Sequence, residues 1–235
     1  MGTDMKTDKL TTLGFDVYGT LIDTHGVIGE LEKMIGAEHA PGFSQAWREK
    51  QLEYTFRRGA MRRYLDFGIC TRQALDHTAE TLKHALSDEQ KEKLIAAYDT
   101  LPAFEDAESG LSVLHDAGHE LFAFSNGQAE AVETVLENAG IRKYFAGVVS
   151  VDEIKTFKPN PDVYHHFLKT THSIAGNTWL VSSNGFDVIG AVAIGMQAAW
   201  IRRSAAVILD PWEFSPTVIL DSLDGLADSI ASRQS

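Results

Sequence analysis

A chain of 235 residues that is 44% hydrophobic and 23% charged has the makeup of an ordinary globular protein, which excludes a disordered or fibrous one. Its formal charge of -12 opposes nucleic acid and membrane surfaces as partners, because both reward surplus Lys and Arg, so an anionic ligand must be held by a few local cations. The lone Cys70 allows neither an intrachain disulfide nor a thiolate metal cluster and fits a reducing cytoplasm, and no membrane span or signal peptide is read in the letters.

Met1 to Lys9 is polar and is expected to be a disordered leader outside the fold. The stretch Leu13-Gly14-Phe15-Asp16-Val17-Tyr18-Gly19-Thr20-Leu21 then reads as a buried strand that ends in one carboxylate and a Gly-Thr turn. From Ile22 to about Leu101 the patterns are mostly helical. A long helix starts at Phe43 and carries apolar residues at helical spacing through to Phe67; Thr71 to Ala85 and Asp88 to Tyr98 follow, capped by Thr71 and by Ser87 or Asp88. Beyond Pro102 strands and helices alternate. The strands are Glu120 to Phe124, Gly147 to Ser150, Thr178 to Ser182, Ala198 to Ile201 and Val218 to Leu220. Between and after them come helices at Ala129 to Ala139, Pro161 to Thr171, Val188 to Ile194 and Leu223 to Ser232. This alternation predicts an α/β fold, a Rossmann-like parallel sheet flanked by helices, with an inserted all-helical cap. The expected division is 10–22 and 102–235 for the catalytic core and 23–101 for the cap.

In such a sheet ligands collect at the carboxyl ends of the strands. Asp16 ends the first strand, Ser125 and Asn126 the second, Lys158 follows the third, and Ser182, Ser183, Asn184 and Asp187 follow the fourth. Each has a plain alternative: Asp16 or Asp187 as a helix cap, Ser125-Asn126-Gly127 as a turn, Lys158 as a solvated lysine. Their joint placement on one edge points to a site instead.

Those residues carry a resemblance. The chain resembles the haloacid dehalogenase superfamily, and within it the L-2-haloacid dehalogenases, through Asp16-Val17-Tyr18-Gly19-Thr20, Ser125-Asn126-Gly127, Lys158-Pro159 and Ser182-Ser183-Asn184-Gly185-Phe186-Asp187. Phosphatases of the superfamily keep an acid two residues after the nucleophile and adjacent acids in the last motif. Here those positions hold Tyr18 and Ser182-Ser183, so the resemblance implies no metal and no cofactor. Trp47-Arg48-Glu49-Lys50-Gln51-Leu52-Glu53-Tyr54 resembles the dehalogenase stretch that carries the substrate-side arginine.

The implied activity is hydrolysis of haloacetates and L-2-halopropionates to 2-hydroxyacids, with inversion at C2 through an ester on Asp16. Aspartate side chains ionise near pH 3.9, about three units below neutrality, so such a nucleophile needs no base. The resemblance further implies that Lys158 offsets the charges of Asp16 and Asp187. Asp187, Ser182 and Asn184 would activate water, Thr20 and Ser125 orient carboxylates, with Ser125 also holding the substrate carboxylate, and Arg48 and Asn126 receive halide. Tyr18, Phe67 and Phe186 would wall the carbon, with Tyr164 steadying the lysine network. Core packing is the plain alternative for the aromatics. The partners implied are a small haloacid, water and a second copy of the chain, with no nucleic acid and no membrane. The rival readings are a magnesium-dependent phosphohydrolase and a noncatalytic binding protein on the same scaffold.

Overall fold

Strand β1 (Thr12–Phe15) lies inside a parallel sheet whose order explains where the polar residues meet. In the computed structural model, which describes residues 10–234, that sheet runs β3-β2-β1-β4-β5-β6, with β2 at Glu120–Ser125, β3 at Gly147–Ser150, β4 at Thr178–Ser182, β5 at Gln197–Ile201 and β6 at Val218–Leu220. The expected leader, Met1 to Lys9, falls outside the described residues. Order reverses on either side of β1, and the crevice at such a reversal is where doubly wound sheets bind ligands. Phe15 pairs with Ala123 and Val181, so Asp16 emerges between the ends of β2 and β4. Leu13, Phe15, Phe124 and Leu180 are buried on both faces, as a sheet sandwiched by helices requires.

The core helices are α5 (Ala107–Asp116), α6 (Ala129–Asn138), α7 (Pro161–Thr170), α8 (Gly185–Ala193) and α9 (Leu226–Gln234), numbered after four helices that precede them in the chain. Those four, α1 (Ile28–Ile35), α2 (Ala40–Met61), α3 (Phe67–Thr81) and α4 (Asp88–Ala96), lie between β1 and α5. The chain enters and leaves this insert side by side: Ile22 bridges Ala103, Asp23 N donates to Pro102 O at 2.8 Å, and Phe104 N donates to Leu21 O at 2.9 Å.

Several element boundaries depart from expectation. The helix expected from Phe43 to Phe67 stops at Met61, where Arg62 turns left-handed (φ 53°). Phe67 instead opens α3, capped by Asp66, whose carboxylate accepts from Ile69 N at 2.9 Å. Thr71 is therefore an interior residue and not a cap: its hydroxyl donates to Phe67 O at 2.8 Å, one turn back, which lets a hydroxyl sit within a helix. That helix ends at Thr81, short of Ala85. The C-terminal helix starts with a 3-10 turn, Leu223–Gly225, before α9. Asp187 lies in the first turn of α8, and Asn184 takes the N-cap position.

Candidate active site

Asp16 is 7% exposed and its two oxygens meet different groups. Oδ2 accepts from Thr20 Oγ1 at 2.8 Å, Asn184 Nδ2 at 2.7 Å and Ser182 Oγ at 3.3 Å. Oδ1 accepts from Lys158 Nζ at 3.2 Å. The turn after β1 supplies Thr20 because Gly19 takes φ +90°, a left-handed conformation that side chains rarely adopt. The end of β4 and the N-cap of α8 supply Ser182 and Asn184.

Lys158 is buried and its ammonium is shared. It also donates to Asp187 Oδ2 at 2.8 Å and Phe124 O at 2.8 Å, and lies 4.1 Å from the centre of the Phe124 ring. Burial alone would lower the pKa of this lysine, but Asp187 and Asp16 outweigh it and lift the value above 10.5. Asp187 is fully buried; desolvation chiefly, with Asp16 adding, raises its carboxyl above the usual range, against Lys158 and Tyr164. Tyr164 OH donates to Asp187 Oδ1 at 2.8 Å, and burial pushes the phenol well above its ordinary pKa, so it stays a donor.

Arg48 reaches in from α2. Its Nη2 donates to Tyr18 O at 3.1 Å and its Nη1 to Gln51 Oε1 at 2.6 Å, and Gln51 in turn is hydrogen-bonded to Thr71. Burial lowers the guanidinium pKa while Tyr98, Asp16 and Tyr18 oppose the shift, yet an arginine remains a cation. Tyr18 stacks on Phe67 with ring centres 5.8 Å apart, and both line a cavity of about 110 Å³ with Tyr98. Burial raises the Tyr18 phenol, so the ring is a neutral wall.

Three expected site residues make contacts outside the Asp16 cluster. Ser125 Oγ accepts from Gly127 N at 3.0 Å rather than meeting a carboxylate of the cluster. Asn126 Oδ1 accepts from the Lys158 backbone N–H at 3.0 Å and so holds the lysine loop. Phe186 packs edge-on against Phe56, ring centres 5.0 Å apart, and lines a different cavity from Tyr18 and Phe67. The expected apolar wall is thus two surfaces.

Other residues join the site without having been assigned a role in it. Ser183 N–H donates to Thr20 Oγ1 at 2.8 Å and its hydroxyl to Gly19 O at 2.6 Å, a role its place in the last motif signals. Tyr98, on the 3-10 turn Ala97–Thr100, has its phenol pushed up to about 12 by burial. Arg203, just past β5, donates to Thr20 O and to Asp106 Oδ2, each at 2.6 Å. Gln51, Tyr98 and Arg203 carry no local sequence signal.

The donor set does not fit a magnesium ion. The ammonium of Lys158 stands between the two carboxylates, where a metal would need their lone pairs, and the Ser182 and Ser183 hydroxyls are already bonded to Asp16 and Gly19. Among the described residues no group of three or more His, Cys, Asp or Glu side chains is arranged to hold a metal.

Comparison with known proteins adds relatives of this arrangement. Residues 10–195 match the family described as haloacid dehalogenase-like hydrolase. The haloacetate dehalogenase H-2 of Moraxella sp. (strain B) is 34% identical over 195 residues, 83% of this chain and 87% of that one. An (S)-2-haloacid dehalogenase of Pseudomonas putida is 34% identical over 209 residues, 89% of this chain and 91% of that one. Among solved structures, L-2-haloacid dehalogenase from Xanthobacter autotrophicus superposes with a TM-score of 0.89 at 28% identity, covering 95% of this chain and 99% of that chain. The same enzyme with chloropropionic acid covalently bound gives 0.87 at 28% identity, covering 94% and 98%.

Proposed function

Because the chain belongs to the haloacid dehalogenase-like hydrolases, with (S)-2-haloacid dehalogenases among its relatives, we propose that it hydrolyses L-2-haloacids to 2-hydroxyacids. Haloacetates and 2-halopropionates are the expected substrates. One observation carries the reading: a buried carboxylate with one oxygen held by three donors and the other facing a lysine, where a phosphate enzyme would keep a metal.

The asymmetry of Asp16 supports different roles for its two oxygens. Oδ1, with a single donor, attacks C2 opposite the halogen; the Oδ1–C2 bond forms, the carbon–halogen bond breaks, and halide leaves with the electron pair. Arg48, the cation of the helical cap, stabilises that developing charge. Tyr18 and Phe67 keep water from competing at C2. Water then attacks Cγ of Asp16 and gives its proton to Asp187. The negative charge moves onto Oδ2, where Thr20, Asn184 and Ser182 already point, so these donors form an oxyanion hole for ester hydrolysis. Collapse breaks the Cγ–Oδ1 bond, the proton held by Asp187 passes to the leaving oxygen, and the hydroxyacid departs with the original Asp16 oxygen while Asp16 loses its own proton to solvent. C2 is inverted once, so an L-2-haloacid gives a D-2-hydroxyacid. A relative solved with chloropropionic acid covalently bound supports a covalent route.

The experiment is halide release from L-2-chloropropionate. Full release in EDTA is expected; release that EDTA abolishes, or phosphate release that magnesium restores, would favour the phosphohydrolase. The second copy of the chain is also part of the proposal. Met61, Leu65, Ile69 and Leu82 on or beside α2 and α3 leave apolar surface at the cap, which suits a homodimer there. Sedimentation should then give about twice the 25.9 kDa of one chain, and a monomer mass would reject it. The single thiol, buried and raised in pKa by that burial, supports a cytoplasmic setting, which cell fractionation checks.

A further inference from the structure

Arg203 stands just past β5, outside the group of side chains that bond Asp16, yet it reaches both crossings between core and insert. Its Nη2 donates to Thr20 O at 2.6 Å, its Nη1 donates to Asp106 Oδ2 at 2.6 Å, and its Cζ lies 4.2 Å from the centre of the Phe104 ring. Thr20 leads into the outgoing crossing, and Phe104 lies on the return, where its N–H donates to Leu21 O at 2.9 Å. Asp106 Oδ2 also accepts from Leu223 N at 2.7 Å, which fixes the carboxylate that grips the arginine. The side chains of Arg203 and Asp106 are only 16% and 12% exposed, so salt screens this pair less than one at the surface. A planar guanidinium that serves two acceptors while it stacks on a ring acts as a rigid brace, which a lysine ammonium would not be.

The brace bears on one proton of the site. Thr20 is buried; its hydroxyl accepts from Ser183 N at 2.8 Å and lies within donating distance of two oxygens, Asp16 Oδ2 at 2.8 Å and Ser183 Oγ at 3.2 Å. A hydroxyl has one proton to give. Which oxygen receives it depends on how the Thr20 backbone is set, and Arg203 holds the carbonyl of that residue. The charge on Asp16 changes in opposite directions in the two halves of the proposed reaction. Ester formation removes the negative charge that Thr20 stabilises, so its donor gives the first step no help, whereas attack of water at Cγ returns charge to Oδ2, where the same donor lowers the barrier. We propose that Arg203 is a positioning residue for ester hydrolysis: braced by Asp106 and Phe104, it sets Thr20 so that the hydroxyl proton goes to Asp16 Oδ2 in the second step. The inference rests on the haloacid reading of Asp16 and on Oδ2 as its oxyanion.

Arg203→Met keeps an apolar stem against Phe104 and removes both donors. Rapid-quench measurement with L-2-chloropropionate separates halide release, which reports the first step, from lactate formation, which reports the second. Ester hydrolysis should fall about tenfold in the variant, part of what a lost oxyanion donor costs. Halide release in the first turnover should stay within about twofold of the wild type. Halide then appears as a burst, and the ester on Asp16 accumulates in the acid-quenched protein. A merely structural loss would slow both steps alike. In a Thr20→Val background the same substitution should change ester hydrolysis by less than about twofold, because the proton it aims is gone. Equal slowing of the two steps by Arg203→Met, or an undiminished loss in the Thr20→Val background, would overturn the assignment. Should Arg203→Met not fold, Arg203→Lys keeps the cation without the rigid fork and is expected to give the same split at smaller size. Melting temperatures read the brace without turnover: Thr20→Val should cost less in either Arg203 variant than in the wild type, and equal costs would reject the coupling. Absence of halide release by the wild type would then count against the haloacid reading alone.

Discussion

Asp187 and Lys158 set the conditions under which Asp16 can work. In the proposed mechanism Asp187 must be ionised to take a proton from water, yet burial and the charge of Asp16 raise its pKa. A raised base pKa moves the acid limb of activity upward, so kcat should fall on acidification at a pH above the range of ordinary carboxylates, near 3.9 to about 4.3. Tyr164 opposes the shift by donating to Asp187 Oδ1. Tyr164→Phe removes that donor, and the limb should move to still higher pH; a pH–rate profile unchanged by the substitution would count against Asp187 as the base. Lys158 has the other sign: its folded pKa lies above 10.5, so its ionic contribution holds below the unfolded value and is lost as pH rises through the folded one. Asp16, Lys158 and Asp187 were legible because each follows a strand at the same sheet edge, whereas Tyr164, inside α7, came only from the resemblance. Gln51, Tyr98 and Arg203 were not legible, because their roles come from contacts across 20 to 183 positions of sequence.

At the scale of elements, α8 must approach α7 closely enough for Tyr164 to reach Asp187. Gly190 makes that possible, since a Cβ there would collide with the Tyr164 hydroxyl. Gly190→Ala should cost about 1–3 kcal/mol of stability, as overpacking does. It should also lower kcat by displacing the tyrosine; a melting curve and a halide assay read the two effects, and unchanged values in both would show that the contact is dispensable. Sequence periodicity located the strands well, since their burial is continuous and turn residues bound them. It joined α2 to Phe67 and misplaced the α3 cap because Phe67 and Thr71 continue the apolar spacing. The break depends on Arg62 turning left-handed and Asp66 capping, two polar residues that the pattern passes over.

For the molecule as a whole, the parallel sheet with helices on its faces was readable from the alternation of elements, whereas the strand order and the closeness of insert and core were not. The paired crossings at Ile22 and Ala103 let about eighty residues be inserted while the sheet edge keeps its geometry. With a net charge of -12, the chain concentrates few cations near Asp16, Arg48 from the insert and Lys158 from the core, and on the proposed mechanism Arg48 is the one that meets the departing halide. The proposed mechanism requires that Asp16 become an ester. A single turnover of L-2-chloropropionate by excess enzyme in ¹⁸O-labelled water tests this directly, with Asp16→Asn as the inactive control. The heavy oxygen should appear in the peptide containing Asp16 and be missing from the first D-lactate released; label in the lactate with none in Asp16 would mean that water attacks C2 itself.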